Sequence, residues 1–196
     1  MNKLFFALML ASLTTLSQSR FEIGATNNLL QWKGADVLGN GHSGTLGIQS
    51  GYLLTTDEGF PLKGEFTIDM NTIRSIDERS GKGIENLDKH LKSEDFFQVD
   101  EFPKAFFTIT DAKIITPFTN KYTVKGLLSL KRIIKPITFS ADVYVKGRSA
   151  RLVADIVIDR TQWNIVYQSK NFLANLKDTA IADEIKIHLE LILQKK

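Results

Sequence analysis

Apolar and polar residues alternate along most of this chain with the two-residue period of a β-strand. Residues 62–72 set Phe66, Ile68 and Met70 against Glu65, Thr67 and Asp69. Residues 104–115 set Ala105, Phe107 and Ile109 against Phe106, Thr108 and Thr110. Tyr122, Val124, Gly126, Leu128 and Leu130 share a face of the next segment, and Ile137, Phe139, Ala141, Val143 and Val145 share a face of the one after. Leu152, Ala154, Ile156 and Ile158 mark another, with Asp155 and Asp159 facing the other way. The last segment is the clearest: Ile185, Ile187, Leu189, Leu191 and Leu193 alternate with Glu184, Lys186, His188 and Glu190, and Ile192 alone breaks the polar side. Upstream, residues 28–37 read as a strand around Leu30 and Trp32, and 42–55 as a strand carrying Gly44, Gly47 and Gly51. Glycines recurring inside a strand predict bulges, curvature or close backbone approach.

Turn signals separate these segments: Gly39-Asn40-Gly41, Asp57-Glu58-Gly59, the stretch from Pro117 to Asn120, a turn near Arg132, and Lys146-Gly147-Arg148-Ser149. About eight long strands joined by short turns predict an all-β, antiparallel, eight-stranded meander. Closing it into a barrel removes the exposed edges that an open sheet would leave. Residues 73–83 read as a polar loop, and 169–176 as a short helix or a loop. One stretch departs from the strand period. Leu87, Leu91 and the Phe96-Phe97 pair fall at helical spacing before Pro103 returns the backbone to extended geometry. It predicts a short helical insert with Phe96, Phe97 and Phe102 turned inward and Lys89, Lys92 and Asp95 in solvent.

The first residues change the picture of where the barrel begins. Met1-Asn2-Lys3 is a basic start, an apolar run follows over 4–13, and Ser17-Gln18-Ser19 offers small residues at a cleavage site. Residues 1–19 are therefore expected to be a signal peptide, and 20–196 the domain. The apolar run is too short to span a bilayer, so the mature chain is expected to carry no integral membrane span and to be periplasmic or secreted. The sequence has no cysteine, which excludes a disulfide framework and a lipid-bearing cysteine. The formal charge of +3 is spread among interspersed acids and bases, which argues against nucleic acid as a partner.

Candidate chemistry is sparse. Gly39-Asn40-Gly41-His42-Ser43-Gly44 has the G-x-G-x-x-G spacing, but no helix follows it, so a glycine-rich hairpin is the better reading. His42, His90 and His188 lie far apart, without metal-ligand spacing. There is no nucleophile elbow and no recognisable acid/base pair, so no enzyme, catalytic residue, metal or cofactor is expected. The segment Asp159-Arg160-Thr161-Gln162-Trp163-Asn164-Ile165-Val166-Tyr167 has two readings, a strand end capped by Trp163 and Tyr167 or a rim that holds a polar head group.

Taken in order, these pieces resemble the YceI-like proteins. The pieces are Trp32-Lys33-Gly34, Gly41-His42-Ser43-Gly44, Gly64-Glu65-Phe66-Thr67-Ile68-Asp69-Met70, Leu87-Asp88-Lys89-His90-Leu91-Lys92-Ser93, Asp95-Phe96-Phe97, Phe102-Pro103, Gly126-Leu127-Leu128-Ser129-Leu130, Lys135-Pro136-Ile137 and Asp159-Arg160-Thr161 with Trp163 and Tyr167. The resemblance covers nearly all of 20–196. Two residues depart from it: Arg132 and Asn164 stand where a glycine is usual. The resemblance implies a lipocalin-like barrel that binds an isoprenoid lipid, such as a quinone or a polyprenyl phosphate, without catalysis. Candidate lining residues are Phe66, Ile68, Met70, Phe107, Ile109, Tyr122, Val124, Leu128, Phe139, Val143, Ile156, Ile158, Ile187 and Leu189. Phe96 and Phe97 would close one end, and Arg160, Trp163 and Tyr167 would form the rim. Three rivals remain open: an enzyme using Asp159, Arg160 and His42 at one mouth, a membrane-embedded barrel, and a partner-binding structural barrel without a cavity. A homodimer is also left open.

Overall fold

The computed structural model describes residues 17–24, 28–76, 81–172 and 180–196. The alternating segments form nine strands: β1 Gln18–Ile23, β2 Leu29–Ala35, β3 Gly41–Thr56, β4 Pro61–Ser75, β5 Lys104–Ile114, β6 Lys121–Leu130, β7 Ile133–Lys146, β8 Ser149–Asp159 and β9 Glu184–Lys195. Helix α1, Gly81–Lys92, lies between β4 and β5, and a 3-10 helix, Arg160–Trp163, follows β8.

Every strand from β2 to β9 pairs antiparallel with its successor, and β9 pairs back onto β2, so the sheet closes. The nine strands fill eight lanes because β1 and β2 share one. β1 sets Phe21 opposite Leu53 of β3 and Lys195 of β9. β2 sets Trp32 opposite Gly44 of β3 and Ile187 of β9, at the other end of the same lane. The eight-stranded antiparallel barrel with one short helix expected from the pattern is the architecture observed.

The glycines of β3 mark both bulges and close approach. Its pairing with β4 shifts register between Thr45 and Gly47 and between Ile48 and Ser50. A Cβ on Gly44 would meet the Arg74 carbonyl and the Trp32 indole, and one on Gly126 would meet the Phe107 ring. Large inward aromatics therefore sit over glycines of the neighbouring strand.

Residues 73–83 differ from the loop expected there. β4 runs on through Ile73, Arg74 and Ser75, and Gly81 to Gly83 belong to α1. Polar composition hid this because the extension is held by tertiary pairing, Thr45 with Arg74 and Gly44 with Ser75. Asp88 of α1 accepts a 2.6 Å hydrogen bond from the Ser75 N–H and fastens the helix to that strand end. Of the 169–176 segment, residues 169–172 form turns, and the rest lies outside the described residues.

The β6–β7 connection is a two-residue turn between the Leu130–Ile133 pair, with both Lys131 (φ 47°) and Arg132 (φ 60°) left-handed. That is the backbone of a type I′ hairpin, which favours glycine or asparagine. Two contacts to the helical insert hold it. Lys131 Nζ donates to the Phe96 carbonyl at 3.1 Å, and the Arg132 guanidinium stacks 5.2 Å from the Phe102 ring centre. Asn164 ends the 3-10 helix in a left-handed conformation, φ 58°, which asparagine tolerates.

The β7–β8 ladder stops halfway. It runs from Lys146–Ser149 to Ala141–Ala154 and no further. Beyond it, 133–140 pair with β6 and 155–159 pair with β9. The 3-10 helix lies beside this parting, where the buried Trp163 donates from Nε1 to the Leu128 carbonyl of β6 at 3.1 Å.

Candidate functional site

The interior is not filled evenly. At the end where β1 closes the shared lane, Phe21, Leu53, Leu191, Leu193, Val143 and Ala150 are buried in close contact. Towards the other end the side chains leave two apolar chambers in line. The deeper one, about 70 Å³, is lined by Phe66, Phe107, Ile109, Val124, Phe139, Ile156 and Leu189, with Ile48, Ile137, Leu152 and Leu191. The outer one, about 120 Å³, is lined by Met70, Phe96, Phe97 and Arg160, with Trp32, Leu46, Ile73, Leu91, Ala105, Leu130 and Ile185. Leu30, Ile68, Leu128, Ile158 and Ile187 border both chambers and form the neck between them. An apolar void of this order stays dry and accepts small apolar molecules.

Above the outer chamber lies a wider, open vestibule of about 600 Å³. Its wall combines Trp32, Leu91 and Phe96 with Asp36, Asn40, His42, His90, Tyr167 and Gln168. Three rings meet there. His90 stands edge-on to Phe96 (5.0 Å between centroids) and to Tyr167 (4.7 Å), while Nε2 of His90 lies 3.2 Å from Asp95 Oδ2. The backbone after α1 folds back onto the last helical turn, with Phe97 N–H donating to the Leu91 carbonyl and Val99 N–H to that of Lys92. This places Phe96 and Phe97 over the barrel end.

Of the rim residues expected from the sequence, Tyr167 lines the vestibule and Arg160 the outer chamber. Arg160 is 1% exposed and donates to the carbonyls of Ala182, Ile165 and Ile181 and to the Asp183 carboxylate. Burial pushes its guanidinium pKa down, opposed by the charges of Asp183 and Asp159. It stays cationic, as arginine does in proteins, and ties the 3-10 helix to the start of β9. Trp163 is enclosed beside β6 and borders neither chamber. Tyr122 and Val143 are buried but do not border the chambers either, and burial pushes the Tyr122 phenol pKa up.

In the insert, Phe96 is buried and Phe97 half-buried against the outer chamber. Phe102 is half-buried under Arg132 and does not border a chamber. Lys89 and Asp95 are exposed as expected, whereas Lys92 is half-buried. The proton-transfer grouping of Asp159, Arg160 and His42 does not share a pocket among the described residues. Asp159 accepts from the N–H and hydroxyl of Thr161, Arg160 is held at the outer chamber, and His42 lies in the vestibule wall. Sequence reasoning left Trp32, Leu91, Ile73 and Ile185 out of the lining. Trp32 and Leu91 carried a usable signal, because each occupies an inward phase of its own element.

The fold and its apolar interior define the class: an up-and-down antiparallel barrel of the lipocalin-like kind, with one end packed shut and one capped by an aromatic insert. The sequence profile of the YceI-like domain matches residues 15–193, and the chain belongs to that family. It is 32% identical over 94 residues to a UPF0312 protein of Photorhabdus laumondii, which covers 48% of this chain and 45% of that one. It is 34% identical over 93 residues to a UPF0312 protein of Yersinia enterocolitica, covering 47% and 44%. The matched stretch thus spans less than half the length of these relatives. Among solved structures, a polyisoprenoid binding domain from Saccharophagus degradans superposes with a TM-score of 0.62 at 11% identity, covering 93% of this chain and all of that one. BcnA of Burkholderia cenocepacia gives 0.60 at 16% identity, covering 84% and 95%. These two show likeness of fold.

Proposed function

We propose that this protein is a non-enzymatic binder of an isoprenoid lipid, holding the tail in the barrel and leaving the head at the vestibule. The observation that carries this reading is the pair of apolar chambers lying in line beneath an aromatic-capped mouth. The likeness of fold to the polyisoprenoid binding domain of Saccharophagus degradans supports it. Each isoprene unit brings about five carbons, worth about 3–4 kcal/mol gross at the per-methylene transfer value. Several units outweigh the cost of association, so affinity rises with tail length. A long tail threads the neck by turning the side chains of Ile68, Leu128 and Ile158 aside. The N-terminal residues ahead of β1 act as an export signal on this reading, and the protein works in the periplasm or outside the cell.

The test is mass spectrometry of organic extracts from gently purified protein, followed by uptake assays on the stripped protein with long-chain quinones and polyprenyl phosphates. A co-purifying isoprenoid, or saturable uptake that tightens with tail length, is expected. A protein that is always empty and takes up none of these overturns the proposal. N-terminal sequencing of the exported protein checks the signal.

A further inference from the structure

The closed sheet has one joint without backbone pairing at the level of the neck. There, Ile68 of β4 pairs with Ile48 and Ala105, Leu128 of β6 with Phe107 and Lys135, and Ile187 of β9 with Trp32 and Ile156. Ile158 of β8 pairs with Ile185 alone, because the β7–β8 ladder has ended at Ala141–Ala154. Continued in register, that ladder would set Phe139 opposite Ile156 and Ile137 opposite Ile158. All four line the deeper chamber, and Ile158 also borders the neck. The seam therefore runs along the chamber wall.

Two residues of β7 keep the seam from zipping. The two-residue turn makes Leu130–Ile133 a hydrogen-bonded pair, and the alternation that follows turns the backbone of Pro136 away from β6 and towards the seam. Proline has no N–H to give there, which is why it keeps to the edges of sheets. Lys135 shares the inward phase of Ile137 and Phe139 and is half-buried, and an inward charge is a second device against strand pairing. The 3-10 helix fills the gap, with Trp163 fully enclosed. Beyond the ladder, the Trp163 Nε1–H bond to the Leu128 carbonyl is the one hydrogen bond that crosses from β8 and the 3-10 helix to β6 or β7 among the described residues. Arg160 ties the 3-10 helix to the approach of β9, so these elements and β8 form one wall.

The chambers are small for a long tail. At about 120 and 70 Å³, together they hold little more than a cavity of about 150 Å³, which takes a single benzene. Several isoprene units require the barrel to widen. Widening between other neighbours at the neck breaks ladder hydrogen bonds, whereas widening between β7 and β8 breaks the indole bond alone.

We propose that the β7–β8 seam is the expansion joint of the barrel. The wall of β8, the 3-10 helix and β9 swings from β7, carries Ile158 away from Leu128 and lets a long apolar tail through the neck. This rests on the lipid-binding reading and makes the seam the determinant of tail length.

The test locks the seam. The sequence has no cysteine, so in Thr138→Cys/Val157→Cys a thiol cross-linker can join only the introduced pair. Both positions are exposed and would be opposite in the continued register. A short reducible bis-thiosulfonate closes the link, and Asp142→Cys/Val153→Cys, partners within the ladder, is the control. The ligands are quinones of one head group carrying one isoprene unit or several, offered to stripped protein. Locking is expected to weaken the long-tailed quinone by at least about tenfold, to leave the short one within about twofold, and to be undone by reduction. The cross-linked control should bind both as wild type does. Unmodified wild type gives a second readout. The chain has two tryptophans, and the indole ¹H–¹⁵N signal lost in Trp163→Phe and kept in Trp32→Phe is that of Trp163. It should shift on saturation with the long-tailed quinone and not with the short one. Equal affinity of locked and reduced barrels for the long tail, an equal loss in the ladder control, or an unmoved Trp163 signal at saturation each overturn the proposal. The wild-type spectrum decides even if the cross-link does not form. A wild type that binds neither quinone is a different result, and it removes the lipid-binding reading itself.

Discussion

The two ends of this barrel are built from the same strands and do opposite things. At the β1 end, the small Ala150 is buried among Phe21, Leu53 and Leu193, and the interior is packed. At the mouth end, the β7–β8 ladder has parted, the neck opens into two chambers, and polar groups gather at the rim. The mouth adds side chain–backbone hydrogen bonds to its packing: Arg160 to the β9 approach, Asp88 to Ser75, Lys131 to Phe96. The contrast indicates that stability is concentrated at one end so that the other can keep empty space, which a uniformly packed interior could not.

Substitutions can break this comparison. The largest effect is expected from Phe21→Ala, which empties a fully enclosed site at the packed end and should cost about 3–5 kcal/mol. Urea unfolding measures it, and a loss under about 1 kcal/mol would falsify the assignment of stability to that end. Arg160→Met comes next. It leaves three carbonyls and Asp183 without their shared donor and should cost about 2–3 kcal/mol. Its distinguishing readout is faster hydrogen exchange in the N–H groups of Ile181 and Ala182, with the β1 end still protected. Ile68→Phe places a larger side chain in the neck beside existing space. Stability should change by no more than about 1.5 kcal/mol, while uptake of a long-tailed quinone falls at least tenfold. Unchanged uptake would mean that the tail does not pass the neck. The smallest effect is expected at Asn164. Glycine there should lie within about 0.5 kcal/mol of wild type, whereas a β-branched valine in the left-handed region should cost about 1–2 kcal/mol; thermal melts of the pair decide it.

The barrel was legible because its strands each bury one face. A period of two in β4 to β9 was enough to give their number, direction and inward residues, including every residue of the neck except Leu30, which was read only as part of its strand. β1 was not among the strands read, because Gln18 and Ser19 fall in the segment taken as a cleavage site, while the structure pairs them with Thr56 and Thr55. The end of β4 was missed because Arg74 and Ser75 are strand residues only through their partners on β3. The tight Lys131-Arg132 turn was hidden for a similar reason, since neither residue prefers left-handed backbone and both are held there by the insert. Whether Arg160 met a ligand or the chain itself depended on carbonyl directions around 181–183, which no sequence period encodes. The early end of the β7–β8 ladder is likewise a property of the assembled wall.

The shared lane has a consequence for the order in which the molecule can be made. Its two halves, β1 and β2, are closed by the last strand, and Lys196 Nζ reaches Glu22 across 174 positions of sequence. A nascent chain can pair β1 through β8 before β9 is made, with β1 and β2 both on β3, but that intermediate is an open curl with one bare edge along the β1/β2 lane and another on β8. Only when β9 arrives do both edges disappear in one step of very high contact order, the kind of step that is slow and exposes apolar surface while it waits. Removing a few residues from the C-terminus should therefore leave the curl open and aggregation-prone, a failure out of proportion to the few contacts deleted.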